Sequence, residues 1–324
     1  MPNDVFQFLD RHSSLILTTH DPADADGLGA QQVFSFIAKS LGKEVRIVNA
    51  TPTPQKFRFI DPDNTIEIWE NLKETINRKV GLVIFDTTDE YYIGDMRQII
   101  PFVPEVFVID HHEPNQFCIF NGYIDSTASS TCEMVVELAQ EAGIALGPAC
   151  AQAAYAGLAY DTGSFAYSKT TSRTFKAALS LVEAGAKPYS IYHQLNETAS
   201  TGALLLQKVV FSTLEIYNQG RVAVQVVQKK DLESTGANFE DSENFVNVPL
   251  KSRDILVSVL VKEGRDGQIR CSLRSKGTVN VSKIAQGMGG GGHVSSAGFK
   301  SSMNIEETLK IILKKIEQEM DKLV

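Results

Sequence analysis

Three apolar runs of this chain end in acids and imidazoles. Leu15–Thr19 leads into His20, Asp24 and Asp26, spaced His-x3-Asp-x-Asp; Leu82–Phe85 ends at Asp86; Val106–Ile109 ends at Asp110-His111-His112. One Asp after a strand is a turn former or a helix cap. Three strands delivering such groups to one edge ask for another reason. That many carboxylates in one crevice repel one another and raise each other's pKa unless a cation is present. Carboxylates with a few imidazoles and no thiolate suit Mn²⁺ or Mg²⁺ better than a structural zinc. Six or more candidate ligands exceed the needs of one ion and point to two ions sharing a carboxylate. Such a pair clamps a phosphate and lowers the pKa of a bridging water. The chemistry implied is hydrolysis of a phosphate ester or anhydride.

The elements that must position these groups follow from the surrounding pattern. Continuous apolar runs at residues 82–85 and 106–109 are the mark of strands buried on both faces of a parallel sheet. A helical pattern over residues 28–41 precedes them, and helical patterns over 131–143, 148–160 and 172–184 follow. In open sheets of this kind, ligands bind beyond the carboxyl ends of the strands. From residue 188 to 214 the pattern is helical with small polar interruptions, a plausible connector. Beyond it, residues 221–228, 255–261 and 268–274 alternate as strands, and an amphipathic helix with Ile305, Leu309, Ile312, Leu313, Ile316, Met320 and Leu323 on one face follows. The fold class expected is α/β with a parallel sheet over residues 1–187, a helical connector over 188–214, and a smaller α+β domain over 215–324.

The 324 residues are 43% hydrophobic and 22% charged, with 31 Lys and Arg against 39 Asp and Glu, a formal net charge of −8. That balance argues against coating of long duplex nucleic acid. Cys118, Cys132, Cys150 and Cys271 form no CxxC, so neither a zinc site nor a disulfide framework is indicated. The start of the sequence has no signal-peptide pattern and no stretch reaches the length of a membrane span. A cytoplasmic location is expected.

Within this acidic chain, residues 262–283 stand out: Lys262, Arg265, Arg270, Arg274, Lys276 and Lys283 face only Glu263 and Asp266. Lys262, Arg265 and Lys283 read as an exposed charged hairpin. Arg274, at a strand end beside a glycine-rich turn, offers a planar fork suited to phosphate. Gly289–Gly292 is either a flexible linker or a place where backbone N–H groups approach a phosphate or base. It is no Walker loop, because no Lys-Ser/Thr follows. His12 and His193 read as surface or packing histidines, Asp21, Asp89 and Asp125 as turn or cap residues, and Trp69 as packing.

Taken in order, His20-x3-Asp24-x-Asp26, Asp86, Asp110-His111-His112 and Asp161 in Gly-Leu-Ala-Tyr-Asp-Thr-Gly resemble the four motifs of the DHH phosphoesterases. Arg274-Ser275-Lys276-Gly277 and Gly289–Gly292 with His293 resemble the DHH-associated C-terminal domain. The compact layout is similar to the bacterial oligoribonuclease and pAp phosphatase branch. One departure is that Pro22 comes one residue early, with Ala23 before Asp24.

The resemblance implies roles. His20 and Asp24 would bind one metal, Asp26, His111 and Asp161 the other, and Asp86 would bridge them. Asp110 would orient His111, and His112 would contact the scissile phosphate and protonate the leaving oxygen. Arg274, Ser275, Gly290, Gly291, Gly292 and His293 would bind substrate in a cleft between the two domains. The activity implied is Mn²⁺-dependent (or Mg²⁺-dependent) hydrolysis of short oligoribonucleotides, including pApA, to nucleoside monophosphates, and of pAp to AMP, by attack of a metal-bridging hydroxide. Cyclic di-AMP phosphodiesterase activity and a catalytically silent nucleotide-binding regulator are the alternatives. The partner expected is a short RNA or nucleotide, with no long duplex and no membrane; a homodimer is left open.

Overall fold

The computed structural model describes residues 2–72, 80–113, 120–264 and 267–323. Cys118, Arg265 and Asp266, named above, lie outside the described residues. The chain divides into two units, residues 1–198 and 199–324.

The first unit is built on six parallel strands. In chain order its elements are α1 (Pro2–Arg11), β1 (Ser14–Thr19), α2 (Ala25–Ser40), β2 (Glu44–Asn49), β3 (Ile66–Ile68), β4 (Gly81–Phe85), β5 (Glu105–Asp110), β6 (Asn121–Ile124), α3 (Thr131–Glu141), α4 (Pro148–Asp161), α5 (Ser172–Glu183) and α6 (Pro188–Asn196). The strand order is β3-β2-β1-β4-β5-β6, so the chain reverses direction across the sheet between β1 and β4. That is the switch point at which doubly wound sheets open a crevice.

Alternate residues of the central strands fill two different cores. Leu15, Leu17, Val83, Phe85, Phe107 and Ile109 pack with the helices, while Ile16, Leu82, Ile84 and Val108 pack with Trp69, Ile93, Met96 and Ile99 on the other face. Burial on both faces is why these strands read as unbroken apolar runs rather than alternating ones.

Helices α2 and α4 meet through glycines. A Cβ on Gly29 would sit 2.5 Å from the Ala153 carbonyl oxygen, and one on Gly157 would sit 2.4 Å from Cys132 Sγ and 2.8 Å from Asp26 Cα. Alanines at 151, 153, 154 and 156 keep the rest of the α4 surface low. This close approach brings the end of α4, and Asp161 with it, to the start of α2.

The second unit contains α7 (Thr201–Ser212), β7 (Glu215–Tyr217), β8 (Val222–Val227), α8 (Lys229–Thr235), β9 (Val257–Glu263), β10 (Ile269–Ser275), α9 (Val281–Gln286), β11 (Gly291–His293), β12 (Ser296–Ser301) and α10 (Ile305–Met320). Its sheet runs β11-β12-β10-β9-β8-β7, antiparallel except for the β8–β9 pair. One face, with Val257, Val259, Val261, Cys271 and Leu273, packs against Ile284, Ile312 and Ile316 of α9 and α10. The stretch anticipated as a connector holds α6 in the first unit and α7 in the second.

Candidate metal centre

The carboxyl ends of β1, β4 and β5 and the last turn of α4 bring His20, Asp24, Asp26, Asp86, His111, His112 and Asp161 together. Three sets of ligand atoms each lie within 4.8 Å of one another: His20, Asp24 and Asp86; Asp26, His111 and Asp161; and Asp86, His111 and His112. Asp86 belongs to two of them, and its two oxygens diverge. Oδ2 lies 3.5 Å from His20 Nε2, whereas Oδ1 lies 3.4 Å from His111 Nε2 and 3.6 Å from His112 Nδ1.

Local structure fixes each side chain. Asp24 caps α2, its Oδ1 accepting from the amides of Asp26 (2.9 Å) and Gly27 (3.2 Å). Gly27 is needed here, because a Cβ would meet Thr19 Oγ1 at 2.1 Å. Asp26 is fully buried, and its carboxylate accepts from the first amides of α3, Thr131 at 2.6 Å and Cys132 at 2.9 Å, where the helix dipole favours negative charge. Asp86 sits in the left-handed region at φ 61°, a backbone conformation that non-glycine residues hold only when their surroundings impose it. The Thr131 hydroxyl donates to Asp86 Oδ1 at 3.0 Å and fixes its plane. The Asp21–Pro22 peptide is cis; despite the early proline, His20 Nε2 and Asp24 Oδ1 come within 3.5 Å.

Asp110 does not orient His111 as the motif led us to expect. Its Oδ1 accepts from the His112 Nδ1–H at 2.7 Å and from the His112 amide at 3.0 Å. The partner of His111 is a backbone oxygen: Nδ1 faces the Ala128 carbonyl at 3.4 Å. His111 Nε2 is buried and points at Asp161 Oδ2, 3.0 Å away, without making a hydrogen bond.

The electrostatics of this cluster are those of a cation site. Burial lifts Asp26 well above the usual carboxylate range, helped by the charges of Asp86 and Asp161. Burial likewise pushes Asp161 up to about 6. Burial works against protonation of His20, but Asp24 and Asp86 push it up to about 11; His111 reaches about 10 for the same reasons, through Asp161, Asp26 and Asp86. The imidazoles hold protons only because unneutralised carboxylates surround them. Divalent cations fit the donor set: an imidazole nitrogen buried without a hydrogen bond, carboxylates destabilised by one another, and one carboxylate facing both sides.

Residues 14–158 match the DHH family N-terminal domain, and residues 219–322 match the DHHA1 domain. The chain belongs to the DHH family. This DHH protein is 28% identical over 305 residues to the bifunctional oligoribonuclease and PAP phosphatase NrnA of Bacillus subtilis (strain 168), covering 92% of each chain. It is 28% identical over 338 residues to the cyclic-di-AMP phosphodiesterase GdpP of the same organism, covering 94% of this chain and 48% of the relative. Its fold resembles that of an exopolyphosphatase-related protein from Bacteroides fragilis, with a TM-score of 0.92 and 24% identity over 99% of this chain and 97% of the other.

In the DHHA1 domain, strand register sorts the anticipated substrate residues. Arg274 of β10 lies opposite Ser296 of β12, which lies opposite His293 of β11, so the three form one row on one face. Among the described residues the Arg274 guanidinium has no acidic partner; it donates to the Leu273 carbonyl oxygen at 3.0 Å, and burial lowers its pKa. Ser275 points to the opposite face, buried, with Oγ donating to the Val279 carbonyl oxygen at 2.7 Å. Its hydroxyl closes the 275–279 turn and is not presented beside Arg274.

The glycine run is not a free linker: Gly291 and Gly292 open β11, which forms a hairpin with β12. Gly290 and Gly292 are required by packing: a Cβ would meet the Gly298 carbonyl oxygen at 2.2 Å and the Ser296 carbonyl oxygen at 2.4 Å, respectively. Gly291 has nothing within 4 Å of a Cβ, so packing does not demand its lack of a side chain.

Lys262 corrects the exposed-hairpin expectation. It is 5% exposed, with Nζ 4.3 Å from the centre of the Phe239 ring, and burial lowers its pKa. The side chain lies on the sheet face that the turn carrying Phe239 covers. Lys283 is exposed as expected. His12 packs on Phe8 and bonds Glu105 at 2.9 Å; Asp125 forms the anticipated turn but also an ion pair to Arg173. Thr131, Cys132 and Ala128 were not legible in the sequence, because all three act through backbone atoms, Thr131 through its hydroxyl as well, and no residue type signals a backbone contact.

Proposed function

We propose that this protein is a phosphoric ester hydrolase that degrades short oligoribonucleotides to nucleoside monophosphates and converts pAp to AMP, using two divalent cations, Mn²⁺ by preference. The observation that carries this reading is the divided carboxylate of Asp86, with His20 and Asp24 on one side and His111, Asp26 and Asp161 on the other. Coverage of 92% of both chains in the match to the oligoribonuclease and PAP phosphatase relative supports the substrate class. The cyclic-dinucleotide phosphodiesterase, matched over 48% of its length, supports it less.

Bound there, the two cations would neutralise phosphate oxygens and acidify water. The chain's own residues do the rest. Thr131 and the strained backbone at 86 hold the Asp86 carboxylate in its divided orientation. His112, whose imidazole is 47% exposed while Asp110 behind it is fully buried, is held by Asp110 through Nδ1 and offers Nε2 to the substrate. Burial lowers the His112 pKa, but Asp110 and Asp86 more than restore it and leave it raised. This favours the protonated form, which would donate to the leaving oxygen. In the DHHA1 domain, Arg274 and His293, with the Gly291 backbone, bind a substrate phosphate or base. Buried thiols at Cys132 and Cys271 suit a reducing, cytoplasmic setting.

The test is a panel of pAp, pApA, a five-nucleotide RNA, cyclic di-AMP and pyrophosphate compared by kcat/KM with Mn²⁺. The short RNA, pApA and pAp should be turned over best. No turnover of any of them after full metal loading would favour a silent nucleotide-binding regulator. In Asp86→Ala, hydrolysis should fall by at least about 10²–10³-fold; wild-type-like turnover would sink the two-metal reading.

A further inference from the structure

Behind the metal centre, one cation is set against three acids. Arg173, on the first turn of α5, holds Glu137 of α3 with a two-pronged fork, Nε to Oε1 at 2.7 Å and Nη2 to Oε2 at 2.6 Å. Its Nη1 donates to Asp125 Oδ2 at 2.6 Å, and its Nε lies 3.1 Å from Glu133 Oε1. Glu133 is fully buried and also accepts from the Ser129 hydroxyl at 2.6 Å. One guanidinium therefore bridges α5, α3 and the loop that runs from β6 into α3.

That loop supplies the backbone contacts of the metal centre. Asp125 starts it, accepting from the Thr127 amide at 3.0 Å, and the Asp125 amide donates to the Asp110 carbonyl oxygen at 3.0 Å. Three residues on, the Ala128 amide donates to the Asp125 carbonyl oxygen at 3.0 Å, and the Ala128 carbonyl faces His111 Nδ1. The loop ends at Thr131, which donates through its amide to Asp26 and through its hydroxyl to Asp86. Side chains from β1–α2, β4 and β5 are thus all registered against a segment that Arg173 clamps.

We propose that Arg173 is a positioning residue for the metal centre: by neutralising Asp125, Glu133 and Glu137 together, it fixes the loop whose Ala128 carbonyl and Thr131 amide and hydroxyl set His111, Asp26 and Asp86 for metal binding. Lys keeps the charge but cannot make the fork and reach Asp125 at once. Without a cation, three carboxylates, one of them fully buried, would repel and open the loop. Groups that orient metal ligands typically govern affinity about 10- to 100-fold.

The inference rests on the metal-centre reading, and the experiment separates the two. Metal-free wild type, Arg173→Lys, Arg173→Met and Asp125→Asn are titrated with Mn²⁺, their melting is recorded, and kcat and KM for pApA are measured across Mn²⁺ concentrations. Arg46→Lys, which trims the remote pair with Glu67, controls for lost ion pairing in general. We expect the Mn²⁺ dissociation constant to rise about 10- to 100-fold in Arg173→Lys and further in Arg173→Met. We expect kcat to fall at limiting Mn²⁺ and recover at high Mn²⁺, with KM nearly constant. Should Arg173→Met fail to fold, Arg173→Lys and Asp125→Asn carry the test and must shift in the same direction. Wild-type Mn²⁺ affinity in those two variants, whatever their melting, overturns the positioning role. If wild type itself binds no Mn²⁺, the metal reading falls and this inference with it.

Discussion

Asp110 Oδ1 lies 2.7 Å from His112 Nδ1 and accepts the His112 amide as well, so acid and imidazole form a closed unit at the end of β5. The carboxylate is fully buried and the imidazole is half in solvent. Because Asp110 serves His112 rather than His111, its loss should damage proton transfer and spare metal binding. Asp110→Asn and His112→Gln are expected to lower kcat by about 10²–10⁴-fold with the Mn²⁺ dissociation constant little changed. A parallel loss of Mn²⁺ affinity would return Asp110 to the role of supporting a metal ligand.

Metal binding should be coupled to proton release. With no cation, His20 is pushed up to about 11 and His111 to about 10, so at neutral pH incoming metal must displace their protons. Mn²⁺ affinity should therefore rise steadily from pH 6 to 9, which isothermal titration in buffers of different ionisation enthalpy would read as protons released per ion.

The same shifts set the pH-dependence of the metal-free fold. Raised imidazoles stabilise it fully below their ordinary value near 6.5, and that stabilisation is lost as pH rises toward 10–11. Asp161, raised to about 6, adds stability at low pH that is lost as pH rises through that value. Thermal melts should show metal-free protein weakening from pH 6 to 9 while the Mn²⁺-induced gain in Tm grows; a gain independent of pH would contradict the scheme.

Gly157 controls the seating of Asp26. A methyl there would press on Cys132 Sγ at 2.4 Å and on Asp26 Cα at 2.8 Å. Gly157→Ala should cost about 1–3 kcal/mol of stability by overpacking. It should also reduce Mn²⁺ affinity, because Asp26 must move. Chemical denaturation and metal titration on one preparation would check both effects, and an unchanged affinity would show that the helices separate without disturbing the site.

The glycine hairpin offers an internal comparison. Gly292→Ala should destabilise the second unit, because its φ of 139° and the Ser296 carbonyl oxygen 2.4 Å from a Cβ both oppose a side chain. Gly291→Ala should leave melting unchanged, since nothing lies within 4 Å of the added methyl. If substrate approaches that backbone, Gly291→Ala raises KM for pApA with little effect on Mn²⁺ binding. Unchanged KM would remove Gly291 from the substrate surface.

The sequence by itself determined the central strands, the donor types and the implied charge balance. Apolar runs that end in Asp and His state both a doubly buried strand and a group at its carboxyl end, because two-sided burial leaves polar residues nowhere else to go. It also marked Arg274 and His293, which strand register places in one row. It gave no sign of β6, whose Asn121-Gly122 start reads as a turn until pairing with β5 supplies its hydrogen bonds. Only tertiary structure decided who partners whom. Asp110 turned to His112 because the backbone beyond β5 brings both its amide and its ring to one oxygen. Ser275 left the substrate face because side chains alternate along a strand and its neighbour Arg274 took the other side. Lys262 was buried because a turn far along the chain laid Phe239 across it. Residue type and spacing fix which groups are available; the register of strands and the closeness of α2 to α4 fix which of them meet.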